Sequence, residues 1–365
     1  MSGTSGDGVD ASVINSNGET HYKVLINKYF QYSDEISQNI YSLKRNINKI
    51  DDIKKFFTEI NDLERKITLF HSSVVSSLIE NKEYEIDLIG FHGQTILHRP
   101  KNKYSKQLGD GKLLSQLSKK KVIYNFRQND LLKGGEGAPL SPIFHQIIVK
   151  EKKIDLPVCI LNIGGISNLT LIKDLKEENL ISKDIGPGNC LIDEWMRRNK
   201  KGNYDNNGEF ASCGKTNKLI LDQALEDFEN IPDENIKSFD VNDFEINFLR
   251  GLDLEDGAST ITDFTSSIIA NKLLEEISKH NQKISKVILC GGGRKNKTLI
   301  ERIKRDSYNK LKFETTDDYG VDGDFVESQA FAYLAIRSYL KLPITFPNTT
   351  GCVLPLTGGI LAKNF

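Results

Sequence analysis

The sequence predicts an α/β protein with two domains, and three observations support this fold class. The chain has 365 residues, which is more than one hydrophobic core usually organises. Apolar clusters alternate between short β-like runs and longer runs with helical spacing. A glycine turn joined to strand-like residues stands near the start of each half, at 1–15 and at 158–172. Two such hairpins predict a duplicated architecture that faces a shared cleft.

In the rest of the first half, the pattern between residues 63 and 142 predicts a helix, two strands and a long loop. The helix is indicated by apolar side chains at helical spacing, which are Leu63, Ile67, Phe70, Val74 and Leu78. The strands are Ile86–Ile89 and Lys121–Phe126, and each is followed by polar residues. The segment Arg127–Pro142 is rich in glycine and proline, and it is interpreted as the crossing between the domains.

The second half repeats this alternation. Residues 158–172 predict an antiparallel hairpin that turns at Gly164 and Gly165. Residues 284–296 predict a strand followed by three glycines. Residues 325–340 predict a helix whose inner face carries Phe331, Leu334, Ala335 and Tyr339.

Composition excludes several classes of function. Lysine and arginine (49) nearly balance aspartate and glutamate (50), and no basic stripe is present, so nucleic acid is not an expected partner. The five cysteines are scattered without CxxC spacing, which predicts reduced thiols rather than disulfides or a zinc site. No apolar run approaches the ~18–20 residues of a membrane span, and the start does not resemble a signal peptide. We therefore expect a soluble, cytoplasmic protein.

The glycine-rich start, Gly3–Asp10, has two interpretations from its residues alone. Backbone N–H groups of such a turn can converge on an anion, and the hydroxyls of Thr4 and Ser5 add donors. Asp7 is suited to hold Mg²⁺ through water, because hard cations prefer oxygen ligands. The alternative is a flexible terminus, since the segment matches neither a Walker loop nor GxGxxG.

Polar residues also follow the first predicted strand. His92, Gln94 and Thr95 are neutral hydrogen-bonding groups that suit sugar hydroxyls, at a position where open α/β sheets place ligands. An ordinary loop with a satisfied histidine is an equally good interpretation.

One carboxylate stands out in the segment 183–195. Asp184 is predicted at the end of a strand, ahead of a tight turn at 186–188 and of Asn189, which can cap the next helix. A carboxylate held in this way suits a general base. The alternative makes Asp184 a turn former that bonds its own backbone.

Three further features are candidates for the same cleft. The glycines 291–293 allow a flat or charged ligand, such as adenosine, to approach the backbone closely. Arg127 and Glu327 are charged groups expected to point into the cleft, and the alternative for both is a surface ion pair.

The order of these segments along the chain resembles one family. The segments are MSGTSGDGVD, GFHGQTILHRP, QLGD, NFRQNDLLKGGEGAPLSPIFH, NIGGISNLT, DIGPGNCLIDEW, YDNNGEFASCG, CGGGRKN, ESQAFAYLA and TTGCVLPLTGGI. Together they resemble the anhydro-N-acetylmuramic acid kinase family over essentially the whole chain. The resemblance implies a two-domain actin-like ATPase fold, in which duplicated RNase H-like domains enclose a central interdomain cleft. We expect the domains to be 1–126 with 345–365, and 127–344.

The resemblance also implies a reaction and its participants. Water opens the 1,6-anhydro ring of anhydro-N-acetylmuramic acid while O6 takes the γ-phosphoryl group of ATP, in the recycling of cell-wall sugar. The implied cofactors are ATP and Mg²⁺, and the implied partners are these small molecules and a second copy of the chain in a homodimer. Two alternatives stay open, namely a kinase for another amino sugar and a non-catalytic ATP-binding relative.

Residue roles follow from the same resemblance. Asp184 matches the catalytic aspartate that activates water. The positions that match the ATP-binding loops are Gly3, Thr4, Ser5, Gly6, Asp7, Gly8, Val9, Asp10, Asn162, Gly164, Gly165, Gly291, Gly292 and Gly293. The positions that match the sugar site are Gln94, Thr95, Arg127 and Glu327.

The sequence departs from the family pattern at two places. The family usually has several apolar residues ahead of Met-Ser-Gly-Thr-Ser, forming most of a first strand, whereas this sequence starts at that Met. Asn125 stands where the family usually has Asp, which removes a charge near Arg127.

Overall fold

A computed structural model describes residues 1–3, 5–80, 84–230, 238–280 and 283–365. The strands in these ranges are β1 Gly8–Ser16, β2 Tyr22–Gln31, β3 Leu88–Phe91, β4 Gln94–Arg99, β5 Tyr104–Leu108, β6 Lys121–Tyr124, β7 Val158–Ile163, β8 Ile166–Ile172, β9 Ile181–Pro187, β10 Lys286–Cys290, β11 Lys312–Thr315 and β12 Ile360–Ala362. The helices are α1 Asp34–Asn46, α2 Ile50–Lys55, α3 Phe57–Ile79, α4 Gly111–Ser118, α5 Gln128–Leu132, α6 Pro142–Glu151, α7 Cys190–Arg198, α8 Glu209–Cys213, α9 Lys218–Glu229, α10 Leu254–Lys279, α11 Lys297–Asp306, α12 Val326–Tyr339 and α13 Pro347–Thr350. The predicted α/β class is therefore confirmed.

The chain divides into two compact units. The first comprises residues 1–153 and 325–365, and the second comprises residues 154–324. These bounds differ from the predicted ones, because α12 packs on β1 and β3, and α6 packs on β2 and α12. The segment Arg127–Pro142, which was predicted to cross between domains, therefore lies inside the first unit.

The second unit is built on one five-stranded sheet with the order β11-β10-β7-β8-β9. β8 is antiparallel to its neighbours β7 and β9, whereas β10 is parallel to β7 and to β11. When the strands are numbered within the unit and the sheet is read from β9 to β11, the order is third, second, first, fourth, fifth, which is the strand order of an RNase H-like sheet. All six residues of the central strand β7 are buried, as expected for a strand covered on both faces.

The long helix α10 forms much of the core of the second unit. Asp253 caps its start by accepting a hydrogen bond from the Asp256 N–H at 2.8 Å, and acidic residues fill its first turn. The helix packs on β8 and β9 and against α7, α8, α9 and α11. Buried residues such as Ile261, Phe264 and Ile268 join the main hydrophobic cluster of the unit.

The first unit has its strands in three sheets. β1 and β2 form an antiparallel pair, β12, β6 and β3 form a three-stranded sheet, and β4 and β5 form a second antiparallel pair. A hydrophobic cluster of α1, α3 and the strands β4 and β5 includes Ile40, Leu63, Ile67 and Leu97. Among the described residues of the chain, no helix is both long enough and apolar enough to cross a membrane.

Most predicted elements are present with shifted ends. The apolar stripe from Leu63 to Leu78 lies on α3, and the hairpin 158–172 is the pair β7–β8. The first predicted strand begins two residues late, at Leu88. Tyr339 was predicted on the inner face of its helix, but it is 42% exposed in the last turn of α12, so that assignment is wrong.

Candidate active site

The glycine-rich start folds into a turn that is fixed to the first unit. The Gly6 N–H donates to the Gly3 carbonyl at 3.2 Å, and the Tyr32 N–H donates to the Asp7 carbonyl at 2.9 Å. Gly6 has φ +66°, and a Cβ there would lie 2.8 Å from Cγ2 of Ile40. A Cβ at Gly8 would lie 2.5 Å from a backbone oxygen. Close packing and positive φ therefore require glycine at these positions, and the segment is not a free tail. Thr4 lies outside the described residues.

Side chains complete this first glycine turn. The Ser5 hydroxyl donates to Oδ1 of Asp7 at 2.5 Å, and both side chains are exposed. Val9 is buried at the start of β1, and Asp10 beside it is half-buried. The turn thus presents a carboxylate and a hydroxyl to solvent beside backbone amides.

Gln94 and Thr95 lie on β4 rather than in the predicted loop. Gln94 is buried, and its Oε1 accepts a hydrogen bond from the Ser2 hydroxyl at 2.5 Å. Thr95 is half-buried, and its Oγ1 accepts from Gln107 at 3.2 Å. The contact between Ser2 and Gln94 brings the predicted sugar-binding strand to the glycine turn. Ser2 was not among the predicted site residues, although it stands in the same motif.

Arg127 is held by a buried histidine. One terminal nitrogen (Nη1) donates to the Gly137 carbonyl at 2.7 Å, and the other (Nη2) lies 3.1 Å from Nε2 of His92. Because arginine only donates, Nε2 of His92 accepts, and its Nδ1–H donates to the Gly93 carbonyl at 2.9 Å. Burial, and then the nearby charge of Arg127, hold the pKa of His92 well below its ordinary value. His92 is therefore neutral, and it orients Arg127.

Asp130 fixes the loop that holds Arg127. It is 2% exposed; its Oδ2 accepts from the Gly137 N–H at 2.7 Å, and its Oδ1 accepts from the Thr350 hydroxyl at 2.7 Å. No residue pattern in the sequence marked Asp130, because its partner Thr350 is distant along the chain.

Glu327 lies beside the first glycine turn. It is half-buried in the first turn of α12, while Ser328 and Gln329 are buried and bond side chains of β1 and β2. Burial lowers the pKa of the Met1 amino group to about 6, against the opposing effect of the carboxylates of Asp10 and Glu327. These charges are therefore near neighbours.

The second unit contains the other glycine turn, Gly164–Gly165, between β7 and β8. The Gly164 carbonyl accepts from the Asn189 N–H at 2.8 Å, and the Gly165 carbonyl accepts from the Gly188 N–H at 2.9 Å. In a trans peptide the N–H points opposite to the C=O. The Gly165 N–H consequently points away from α7, and a Cβ at Gly164 would meet nothing closer than 3.5 Å. The turn thus directs the Gly165 N–H away from α7 beside an open Cβ position at Gly164, an arrangement that suits an anion.

The loop Gly291–Gly293 lies directly beside the last residues of β7. A Cβ at Gly291 would be 2.4 Å from Oδ1 of Asn162, and one at Gly293 would be 2.2 Å from the side chain of Ile163. Gly292 between them is exposed, and the nearest atom to a Cβ there is 3.8 Å away. The fold thus places Asn162 and the three glycines together with one open face.

Asp184 is buried on β9, with 5% of its surface exposed. Its Oδ2 accepts a hydrogen bond from the Phe239 N–H at 2.9 Å, and it pairs with Asn168 of β8. The predicted strand end and tight turn at 186–188 are wrong, because β9 continues through Pro187. Gly186 has φ +145° and approaches Ile268 of α10 so closely that a Cβ would clash at 2.6 Å, so glycine is required for packing here.

Asn189 does not cap α7 with its side chain, as had been predicted. Its Nδ2 instead lies 3.4 Å from the Ile163 carbonyl, and its backbone N–H bonds the glycine turn. The residue thus serves the turn rather than the helix.

The predicted residues therefore form two groups, one in each unit. The first contains the turn Gly3–Asp10 with Gln94, Thr95, Arg127 and Glu327, and the second contains Asn162, Asp184 and the two glycine loops. An RNase H-like sheet that carries open glycine turns is typical of the class of α/β proteins that bind phosphate-containing ligands.

Comparison with known proteins identifies the family within this class. The family model described as anhydro-N-acetylmuramic acid kinase matches residues 1–363. The chain is 51% identical to the anhydro-N-acetylmuramic acid kinase of Pelagibacter ubique over 365 residues, which cover 100% of this chain and 97% of that protein. It is 38% identical to the protein of the same name from Zymomonas mobilis, over 98% of this chain and 97% of that one. The chain belongs to the anhydro-N-acetylmuramic acid kinase family.

One solved structure has a distant likeness to this chain. The activator of 2-hydroxyisocaproyl-CoA dehydratase from Clostridium difficile, solved with bound ADPNP, has a TM-score of 0.41 and 10% identity, over 90% of this chain and 94% of that one. This value is too low to support an inference about the present chain.

Proposed function

We propose that this chain is an ATP-dependent kinase that opens the 1,6-anhydro ring of anhydro-N-acetylmuramic acid and phosphorylates O6. The products are N-acetylmuramic acid 6-phosphate and ADP, in the recycling of cell-wall sugar. The full-length family match is the observation that carries this proposal. The buried carboxylate of Asp184 and the open glycine turns supply the chemistry that such a reaction requires.

The bond changes balance with one water and one ATP. The water oxygen bonds to C1, the C1–O6 bond breaks, and O6 bonds to the γ-phosphorus as ADP leaves. Asp184 accepts the proton of the water, for which a single well-held carboxylate is sufficient. The Phe239 N–H, which donates to Asp184, holds the carboxylate in one orientation.

The glycine turns fit the phosphate groups of ATP. The Gly165 amide points away from α7 beside the open Cβ position of Gly164, and the exposed Gly292 leaves a face for the adenosine. We assign Gly3–Asp10 to the phosphates as well, with Mg²⁺ near Asp7. Mg²⁺ would neutralise phosphate charge, while the protein would mainly hold the reacting groups in position.

The sugar is assigned to residues of the first unit. Gln94 and Thr95 offer neutral groups to hydroxyls, and Glu327 offers an acceptor. Arg127, oriented by His92 and Gly137, suits the carboxylate of the lactyl group. We further propose that the protein acts in the cytoplasm and as a homodimer.

Turnover in ¹⁸O-water tests the coupled reaction. We expect mass spectrometry to find the label at the anomeric carbon and the phosphate on O6 of the same product. Phosphorylation of an ordinary hexosamine, without turnover of the anhydrosugar, would instead identify a kinase for another amino sugar. No heat of ATP binding in calorimetry would identify a non-catalytic relative.

A further inference from the structure

Arg294 connects the glycine loop Gly291–Gly293 to the segment 317–324 of the same unit. Its Nε donates to Oδ2 of Asp317 at 2.6 Å and its Nη2 donates to Oδ1 at 3.0 Å, so this pair is bidentate. Its Nη1 donates both to Oδ1 of Asp324 at 2.6 Å and to the Gly291 carbonyl at 3.1 Å. The side chain of Arg294 thus donates four hydrogen bonds.

The arginine is enclosed, whereas its partners are not. The Arg294 side chain is 5% exposed, against 44% for Asp317 and 35% for Asp324. Gly323 makes this enclosure possible, since a Cβ there would lie 2.3 Å from Nε of Arg294. The Gly323 carbonyl also accepts the Gly291 N–H at 3.1 Å. The Gly291 amide therefore bonds this segment directly, and the Gly291 carbonyl is linked to it through Arg294.

The charges agree with this geometry. Hydrogen bonding from Arg294 lowers the pKa of Asp317 below its usual range, against the effect of partial burial. Burial raises the pKa of Asp324, but the contacts with Lys295 and Arg294 together lower it overall. Both carboxylates are thus ionised at neutral pH, and the guanidinium is held by opposite charges rather than left exposed to solvent.

The contact with the Gly291 carbonyl has a consequence for the next amide. Because the Gly291–Gly292 peptide is planar, fixing its carbonyl toward Arg294 directs the Gly292 N–H the opposite way. Gly292 is the exposed glycine with the open face. We propose that Arg294 is a positioning residue for nucleotide binding, which holds the Gly291–Gly292 peptide in the orientation that receives the adenosine side of ATP. This inference rests on the proposed function.

Two variants displace this contact in different ways. Arg294→Met removes the guanidinium, whereas Gly323→Ala keeps the charge and pushes it out of place. Losing a charge-assisted hydrogen bond at a binding loop typically weakens binding by roughly 10- to 100-fold. We expect a rise of that size in the Kd for ADP and in the KM for ATP of both variants, with the KM for the sugar changed less than about twofold. Arg294→Lys keeps the charge but not the bidentate geometry, so it should not restore nucleotide affinity.

Arg305→Met is the matched control. Arg305 lies on α11 and also contacts two carboxylates, at 2.9 Å from Asp263 and 2.7 Å from Asp306. Neither of these contacts involves the glycine loop Gly291–Gly293. The Kd of the Arg305→Met variant for ADP should match that of the unaltered protein. A Kd within twofold of the unaltered protein for both Arg294→Met and Gly323→Ala would overturn the inference and leave the proposed function intact. Failure of the unaltered protein to bind ADP or ATP would contradict the proposed function, and the inference with it.

Discussion

The two glycine turns, one in each unit, are held in different ways. The turn Gly164–Gly165 is two residues long, and backbone N–H groups at the start of α7 bond both of its carbonyls. The turn at Gly3–Asp10 is longer, and it relies on side chains as well, through Ser2 with Gln94 and Ser5 with Asp7. The turn Gly164–Gly165 connects two strands of the five-stranded sheet, whereas β1 and β2 of the first unit form a separate pair.

The two turns should therefore depend on the amino-acid sequence in different ways. A turn closed by backbone tolerates changes of side chain but not an added Cβ where the chains meet. A turn closed by side chains depends on the hydroxyls, amides and carboxylates themselves. We therefore expect that a catalytic side chain of the second unit can be replaced without loss of the fold. The stability of the first unit should depend more strongly on its side chains and their charges.

The largest effect is expected for Asp184→Asn. Asparagine keeps an oxygen that can accept the Phe239 N–H, so the fold of the second unit should persist. The proposed base for water is lost, and turnover should fall by roughly 10²–10⁴-fold, about 3–5 kcal/mol of barrier. Steady-state kinetics and denaturant unfolding of the same preparation measure both quantities.

Asp174→Asn serves as the control for that variant. Asp174 is half-buried in a turn of the same unit, where it accepts from Lys176 and Asn179. Its replacement should leave turnover unchanged. Near-normal turnover in Asp184→Asn would remove Asp184 from the proposed role.

The sequence predicted the elements with local signals and missed the contacts between distant segments. Helical spacing identified α3 and α12, and the glycine pair identified the hairpin β7–β8. The end of β9 was misjudged, because Gly186 reads as a turn in isolation but serves the packing of α10. Packing between distant segments has no local pattern.

The site shows the same limit. Glycine loops and single carboxylates are visible in a sequence, whereas the groups that orient them are not. Asp130 meets Thr350, and Arg294 meets Asp317 and Asp324, only after the chain has folded. Domain boundaries depend on packing too. The helix α12 belongs to the first unit because of its packing, although residues 154–324 separate it from residues 1–153 of that unit in the sequence.

The second effect in size is acid destabilisation of the first unit. Its buried histidines are His71, His92, His98 and His145. Burial lowers the pKa of each, to about 3 for His98 and His145 and well below the ordinary value for His71 and His92. The unfolded chain takes up protons near pH 6.5 and the folded chain does not, so stability falls as the pH drops below 6.5.

Unfolding at pH 7.5 and pH 5.5 measures this effect. Each histidine should remove roughly 1 kcal/mol over that interval, or about 4 kcal/mol for the four. Hydrogen exchange should show that the first unit loses protection before the second. The lowered pKa values of Asp317 and Asp324 matter only at more acidic pH, because these groups stay ionised in both states at pH 5.5. Equal stability at the two pH values would contradict the assignment of neutral histidines.

The smallest effect compares one glycine from each unit. A Cβ at Gly188 would lie 2.3 Å from the Gly164 carbonyl oxygen, so Gly188→Ala must separate the turn from α7. A Cβ at Gly3 has no neighbour closer than 3.9 Å, so Gly3→Ala fits without a shift. We expect Gly188→Ala to cost about 1–3 kcal/mol of unfolding free energy and Gly3→Ala less than about 0.5 kcal/mol.

Urea denaturation with amide exchange at residues 188–190 measures this pair. In Gly188→Ala, these amides should exchange faster because their acceptors, the Gly164 and Gly165 carbonyls, have moved away. The exchange of the first turn should be unaltered in the same variant. If Gly3→Ala were the more costly of the two, the backbone would not be what holds the second turn, and the contrast between the units would have to be drawn from their side chains alone.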